Sequence, residues 1–416
     1  MIFDKSFLES LSPDEAVWLD MYFTTFITPL FFVETLADLE KQMRGGRTPE
    51  QIVGQLAYKT PDFHSYMRPH HSTALVAELS GEKINMDTRI LRPGGQFVEL
   101  NGQQGVIYQM TPEEEAFNRW QRREFLDIER QQAKAWRREV SNIDHSKMYA
   151  QFKGYFQNIR KPRNLEDAKK IAEALIDLLP EEQSIRFGLT LLGISPEDHD
   201  FVVQKWAEAR KPPIDEFAPY FRHMFSVDLF FHLSIAADLI SRVRPAGKAD
   251  NKVDIAYLYY LPFCHVFVSN DNLHERVVPL FLRDGQTFVK GQQLKADLKQ
   301  IDEHFAKLPD DVKDKGIFKF GAWPPEEVCP LLIRLWDQYL PQWRKHKAEE
   351  KDLPPDVEKA LIDMINKADK ESKPSNLVHR PSIEDLDYVH VTRQVYPKKG
   401  KWLRVKPVNE SEAPTP

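Results

Sequence analysis

Four acids far apart in the chain stand at expected strand ends or on expected helices: Asp4, Glu34, Asp254 and Asp271. Asp4 ends the apolar run Met1-Ile2-Phe3, and Asp271 ends another through Ser269-Asn270. Glu34 and Asp38 are one turn apart on a helix predicted over residues 30–41, so they share a face. Asp254 is read as opening a short apolar helix. A site made only of Asp and Glu has narrow chemistry. Carboxylates a few ångströms apart repel, and some take up protons unless a cation sits among them. Their hard oxygens suit Mg²⁺ or Mn²⁺, ions that keep water and bind phosphate oxygens. Such an ion lowers the pKa of water and stabilises charge on a phosphate, and a second would stabilise the leaving oxygen. Each acid also has a plain structural role open to it. Asp4 and Asp254 can cap helices, Asp271 can close a turn, and Glu34 with Asp38 can form a solvated face.

The elements that must position these acids follow from pattern. Residues 6–22 carry apolar spacing of helical period, interrupted by the helix-start signal Ser12-Pro13-Asp14-Glu15, which predicts two short helices. Residues 23–28 are β-branched and aromatic, a strand signal. Downstream, residues 264–268 read as a strand ending at Ser269-Asn270-Asp271, followed by a helix over 273–282, a strand at 287–289 and a covering helix over 294–308. In an open parallel sheet, ligands bind beyond the carboxyl ends of the strands, and an insertion between strands leaves those ends converged.

In order and context these pieces resemble PIN-domain nucleases. That family's pattern is a strand ending in Asp, an acid on an early helix, Asp at a later helix start and a strand ending in [Ser/Thr]-x-Asp. The resemblance covers roughly residues 1–45 and 225–300. It implies an α/β domain with an open, mostly parallel sheet flanked by helices. It also implies a Mg²⁺- or Mn²⁺-dependent ribonuclease that hydrolyses phosphodiesters with metal-activated water. Carried over position by position, Asp4, Asp254 and Asp271 would be direct metal ligands, and Glu34 would bind the metal or orient its water. Ser269 would hydrogen-bond within the site, with Asp38 as reserve for Glu34. RNA is the expected partner, with DNA or a nucleotide as other phosphate substrates. A catalytically silent PIN-like module that binds nucleic acid or protein is the alternative. The long insertion and the C-terminal extension depart from the family pattern.

Between the two PIN-like pieces, residues 46–224 predict an inserted, mainly helical lobe with a small antiparallel hairpin over 96–109, a surface for a protein partner or a second copy of the chain. Within it, residues 73–79 read as a strand. A helix starting at Thr111-Pro112 is expected to run to about residue 140, with Arg119, Arg123, Arg130, Lys134 and Arg137 near one stripe. Asp228 and Asp238 are alternative site acids, read first as capping or surface acids. Residues 301–416 form a helical extension and tail.

The 416 residues carry a net charge of −6, so any polyanion must be held by local basic patches. Arg242, Arg244 and Lys248, just before Asp254, are the expected substrate-binding cations, and the basic-aromatic stretch 395–406 is another candidate. His64, His70, His71, His265 and His274 lack zinc spacing. Two cysteines without a CxxC, no apolar run long enough for a bilayer and no basic leader predict a cytoplasmic protein.

Overall fold

The computed structural model describes residues 1–43, 45–87, 96–100, 103–108, 112–129, 131, 160–240, 250–349, 373–374, 388–391 and 398–404. Its centre is a five-stranded sheet in the order β3-β2-β1-β6-β7. The strands are β1 (Ile2–Phe3), β2 (Thr25–Ile27), β3 (Ser65–Met67), β6 (Val266–Ser269) and β7 (Thr287–Lys290), and every pairing is parallel. The α/β class and the parallel sheet flanked by helices agree with the pattern. Ile2 pairs with Phe267 and Phe3 with Val268, which joins the chain's start to a strand some 265 residues later.

The strands alternate between two cores, as a period of two requires. Ile2, Phe26 and Phe267 face one core; Phe3, Ile27, Val266 and Val268 face the other. The second core is closed by α1 (Lys5–Ser10), α2 (Pro13–Tyr22), α3 (Pro29–Met43), α4 (Pro49–Lys59) and the helix Gly291–Ala306. Local signals start these helices. Ser12 and Glu15 make a capping box at α2 with Pro13 in its first turn, and Thr48 with Gln51 does the same at α4. The first core is closed by α5 (His71–Leu79), the helices between 165 and 236, and the 3₁₀ helix Tyr257–Phe263. Part of the stretch read as an inserted lobe is therefore a helical layer sharing one core with the sheet.

Several local expectations differ from the structure. Residues 73–79 are helical, because His70 caps α5 by accepting from the Ser72 amide, and the cap outweighs Thr73 and Val76. Strand β3 lies inside the presumed insertion; the buried Asp20 carboxylate shapes its approach by accepting from the amides of Asp62, Phe63 and His64 at 2.7–2.8 Å. The helix that starts at Pro112 ends at Gln121. There the chain turns through Arg123 at φ 61°, and Glu129 folds back onto Arg119 and the Trp120 indole. Arg130, Lys134 and Arg137 lie outside the described residues. The hairpin is present as β4 (Gln96–Leu100) and β5 (Gln103–Tyr108), extended to four strands by Lys373–Pro374 and Tyr388–Val391. Among the described residues no helix is long and apolar enough to cross a membrane.

Gly291 sets how closely the helix after β7 approaches the end of β6. A Cβ there would lie 2.6 Å from Asn270 Oδ1 and 2.7 Å from a ring carbon of the fully buried Phe7. Gly291→Ala should therefore destabilise by about 1–3 kcal/mol, the usual cost of overpacking. Urea denaturation checks this, and an unchanged midpoint would show that the contact relaxes freely.

Candidate functional site

Asp4 follows β1 and Ser269 ends β6, two adjacent parallel strands, so both lie at the same edge of the sheet. From β1 the sheet grows through β2 and β3 on one side and through β6 and β7 on the other. The boundary between β1 and β6 is thus a topological switch point, where a crevice opens beyond the strand ends.

Asp4 is 3% exposed and meets a full set of donors. Its Oδ1 accepts from the Phe7 amide at 3.0 Å, so it does cap α1. Its Oδ2 accepts from Ser6 Oγ at 2.7 Å and Ser269 Oγ at 2.6 Å. The same two hydroxyls receive the chain after β6, with the Asn270 amide on Ser6 Oγ at 3.2 Å and the Asp271 amide on Ser269 Oγ at 2.9 Å. Ser269 thus links Asp4 to the chain that follows β6. Asp271 lies beside this knot and caps the helix Asn272–Phe281 by accepting from the Leu273 amide at 2.6 Å.

His274, one turn along that helix, is fully buried, and its protonation follows from its partners. Ser269 gives its only proton to Asp4, so His274 Nδ1, 2.8 Å from Ser269 Oγ, must donate. His274 Nε2 lies 2.8 Å from the Asp254 carbonyl oxygen and must donate too. The ring is therefore an imidazolium. Burial opposes that charge, but Asp4 and Asp254 outweigh it and hold its pKa at about 9. Reciprocally, burial would raise the Asp4 pKa, and His274, Ser269 and Ser6 bring it below the ordinary value.

Glu34 and Asp38 project from α3 toward the same place. Tyr257, fully buried, donates to Glu34 Oε2 at 3.0 Å. Burial and the neighbouring Asp254, Asp4 and Asp38 push the Glu34 pKa up to about 8, against the pull of Lys5. Lys5, 1% exposed, is ion-paired to Asp38 and lies 3.9 Å from Glu9. Burial would lower the Lys5 pKa, yet Glu34, Asp38 and Glu9 raise it. Asp254 is buried in the interior of the helix Asp250–Ala256 rather than at its start, so it does not cap that helix.

Asp4 and Asp254 are therefore within electrostatic reach of Glu34, Asp38 acts on it as well, and Asp271 is tied to Ser269 through its backbone amide. Lys5, Tyr257 and His274 are the members that pattern reading missed. The only signals for them were nearness in sequence to Asp4, Asp254 and Asp271. Arg242, Arg244 and Lys248 lie outside the described residues. Asp228, read as a capping or surface acid, is instead buried within the helix Pro219–Ala236 and paired with Lys252 and Tyr259. In the basic stretch near the C-terminus, three described residues are engaged internally: Lys399 is buried on Asp62 at 2.5 Å, and Lys401 and Trp402 both bond Asp302.

Among the described residues no group of three or more His, Cys, Asp or Glu is arranged to hold a metal ion. The donors are nonetheless of a kind that hard divalent ions take. The carboxylates Asp4, Glu34, Asp38 and Asp254 share this region with the cations Lys5 and His274. All four offer hard oxygen. The chain matches no protein-family model, and no curated protein or solved structure is significantly similar to it.

The raised Glu34 pKa has a definite sign in stability. Its folded value, about 8, lies above its ordinary 4.5. The contribution is thus fully present below about 4.5 and is lost as pH rises through about 8. Without added metal, the stability of the wild type relative to Glu34→Gln should fall between pH 5 and 8, as read from urea midpoints. A difference that stays flat or grows over that window contradicts this environment for Glu34.

Proposed function

We propose that this chain is a divalent-metal-dependent nuclease with a PIN-like site, its substrate RNA. The observation that carries the reading is the position of the acids. Asp4 and Ser269-Asn270-Asp271 end two neighbouring parallel strands at the switch point of the sheet, and Glu34 and Asp254 join them from flanking helices. The residues that would hold Mg²⁺ or Mn²⁺ are Asp4, Glu34 and Asp254, with Asp271 beside them. When bound, such an ion supplies positive charge to a phosphate and lowers the pKa of water.

The chain's own residues prepare that chemistry. Ser6, Ser269 and His274 keep Asp4 ionised and fixed, so it does not reorganise during reaction. Tyr257 orients Glu34. Glu34, whose pKa burial and the neighbouring acids push up to about 8, would have to release its proton to hold such an ion.

A second reading rests on Lys5 and His274. These internal cations stabilise the carboxylates without any metal, as a catalytically silent PIN-like binding module would need.

Asp254→Asn keeps size and shape while removing one negative charge. Cleavage of a labelled single-stranded RNA with Mn²⁺ should fall by roughly two to three orders of magnitude, the usual effect of deleting one preorganised charge at a reacting centre. The circular-dichroism spectrum should be retained. Wild-type cleavage in this variant would refute the site assignment. A wild-type protein inactive on RNA with both Mg²⁺ and Mn²⁺ would favour the silent module.

A further inference from the structure

Away from the acid cluster, a short piece of the chain's C-terminal region is set into the body. Residues 398–404 form a minimal hairpin, Lys398 pairing with Arg404 and Lys399 with Leu403. Two residues per strand cannot hold a hairpin in water, so its shape depends on what it docks against. The turn meets matching groups at each step. The Lys399 ammonium is buried 2.5 Å from Asp62 and also donates to the Thr60 carbonyl, just before β3. Gly400 sits at φ 56°, and its amide donates to the Tyr58 hydroxyl at 2.9 Å. A Cβ there would run into Asp14 Oδ1, which accepts from the Lys401 amide at 2.7 Å. Asp302 accepts from both the Lys401 ammonium and the Trp402 indole N–H. The indole packs on Trp18 and Phe320, with ring centroids 5.5 and 5.6 Å away.

We propose that the face formed by α2, the end of α4 and the helix Gly291–Ala306 is a peptide-binding site that reads a Lys-Gly-Lys-Trp turn. Its occupant is residues 398–404 of the same chain, which close it in cis. The reading groups come from separate elements of the body: Asp14 from α2, Asp62 from the approach to β3, and Asp302 from the helix after β7. The site is thus a property of the body and not of the hairpin. Its selectivity follows from the same contacts. An apolar residue in place of Lys399 would leave Asp62 buried without its counter-charge. A side chain in place of Gly400 would be strained at that φ and would push Asp14 off the Lys401 amide. An indole N–H needs an acceptor where its ring is packed, and Asp302 supplies it. A segment carried on the same chain competes at high effective concentration, so a free peptide finds the site already filled. None of this depends on a metal ion or on the nuclease reading.

The test is the binding of a labelled synthetic peptide, with the sequence of residues 397–405, to the full chain, read by fluorescence anisotropy. Gly400→Val combined with Trp402→Ala opens the site while leaving every residue of the body unchanged. The opened chain should bind one peptide saturably. The wild type should bind it at least about a hundredfold more weakly, because its own segment is in place. Adding Asp62→Asn to the opened chain should weaken the peptide by roughly a hundredfold, the effect of removing one partner of a buried pair. A peptide carrying Gly400→Val should not bind. If the opened chain does not fold by itself, the peptide should restore its circular-dichroism spectrum. Equal binding by wild type and opened chain, or equal binding of the valine peptide, would overturn the proposal. So would an opened chain that neither binds the peptide nor is refolded by it.

Discussion

A carboxylate buried at the end of a central strand must find donors or lose its charge. Asp4 finds them in the α1 amide of Phe7 and the hydroxyls of Ser6 and Ser269, with the His274 ring as counter-charge at 3.5 Å. Because these partners belong to β6 and to the helices after β1 and β6, satisfying one side chain fixes the relative placement of four elements. The parallel pairing of Ile2 with Phe267 and of Phe3 with Val268 brings the strands together, and the serine hydroxyls bind their ends. The closeness of Gly291 to Asn270 and Phe7 then seals that edge.

Once Asp4 is fixed, the electrostatics of the crevice follow. Glu34 and Asp254 arrive on helices whose apolar faces are committed to the two cores, so they cannot retreat from one another. The chain answers the repulsion in three ways. It buries an imidazolium against Asp4, buries an ammonium against Asp38, and raises the Glu34 pKa to about 8. The charge that remains is what gives the cluster its chemical interest. A surface patch of the same composition would be solvated and screened, and would hold a cation weakly.

The strand-end positions of Asp4 and Asp271 and the shared face of Glu34 and Asp38 were legible because they depend on period, whereas bringing Asp254 to them was implied only by the family resemblance. Apolar runs marked the strands, and i,i+4 spacing put Glu34 and Asp38 on one face. The counter-cations were not legible, since a lysine or histidine in sequence carries no sign of burial. Lys5 follows a strand end and looks like any solvated residue, and His274 appeared only as one of several histidines without zinc spacing. Strand β3 was missed for a non-local reason: three residues hold a weak propensity signal, and Asp20, more than forty positions upstream, organises the turn before it. α5 was misread because a cap outweighs two β-branched residues. Asp254 was taken as a helix opener because its apolar neighbours begin there, although the helix starts at Asp250.

The central claim is that the crevice between the ends of β1 and β6 binds a divalent cation through Asp4, Glu34 and Asp254. Diffraction from crystals soaked in Mn²⁺, collected where manganese scatters anomalously, tests it directly. The account predicts one strong anomalous peak within about 2–2.5 Å of oxygens from those carboxylates. A fully ordered site with no peak there, or a peak held by other residues, would contradict it.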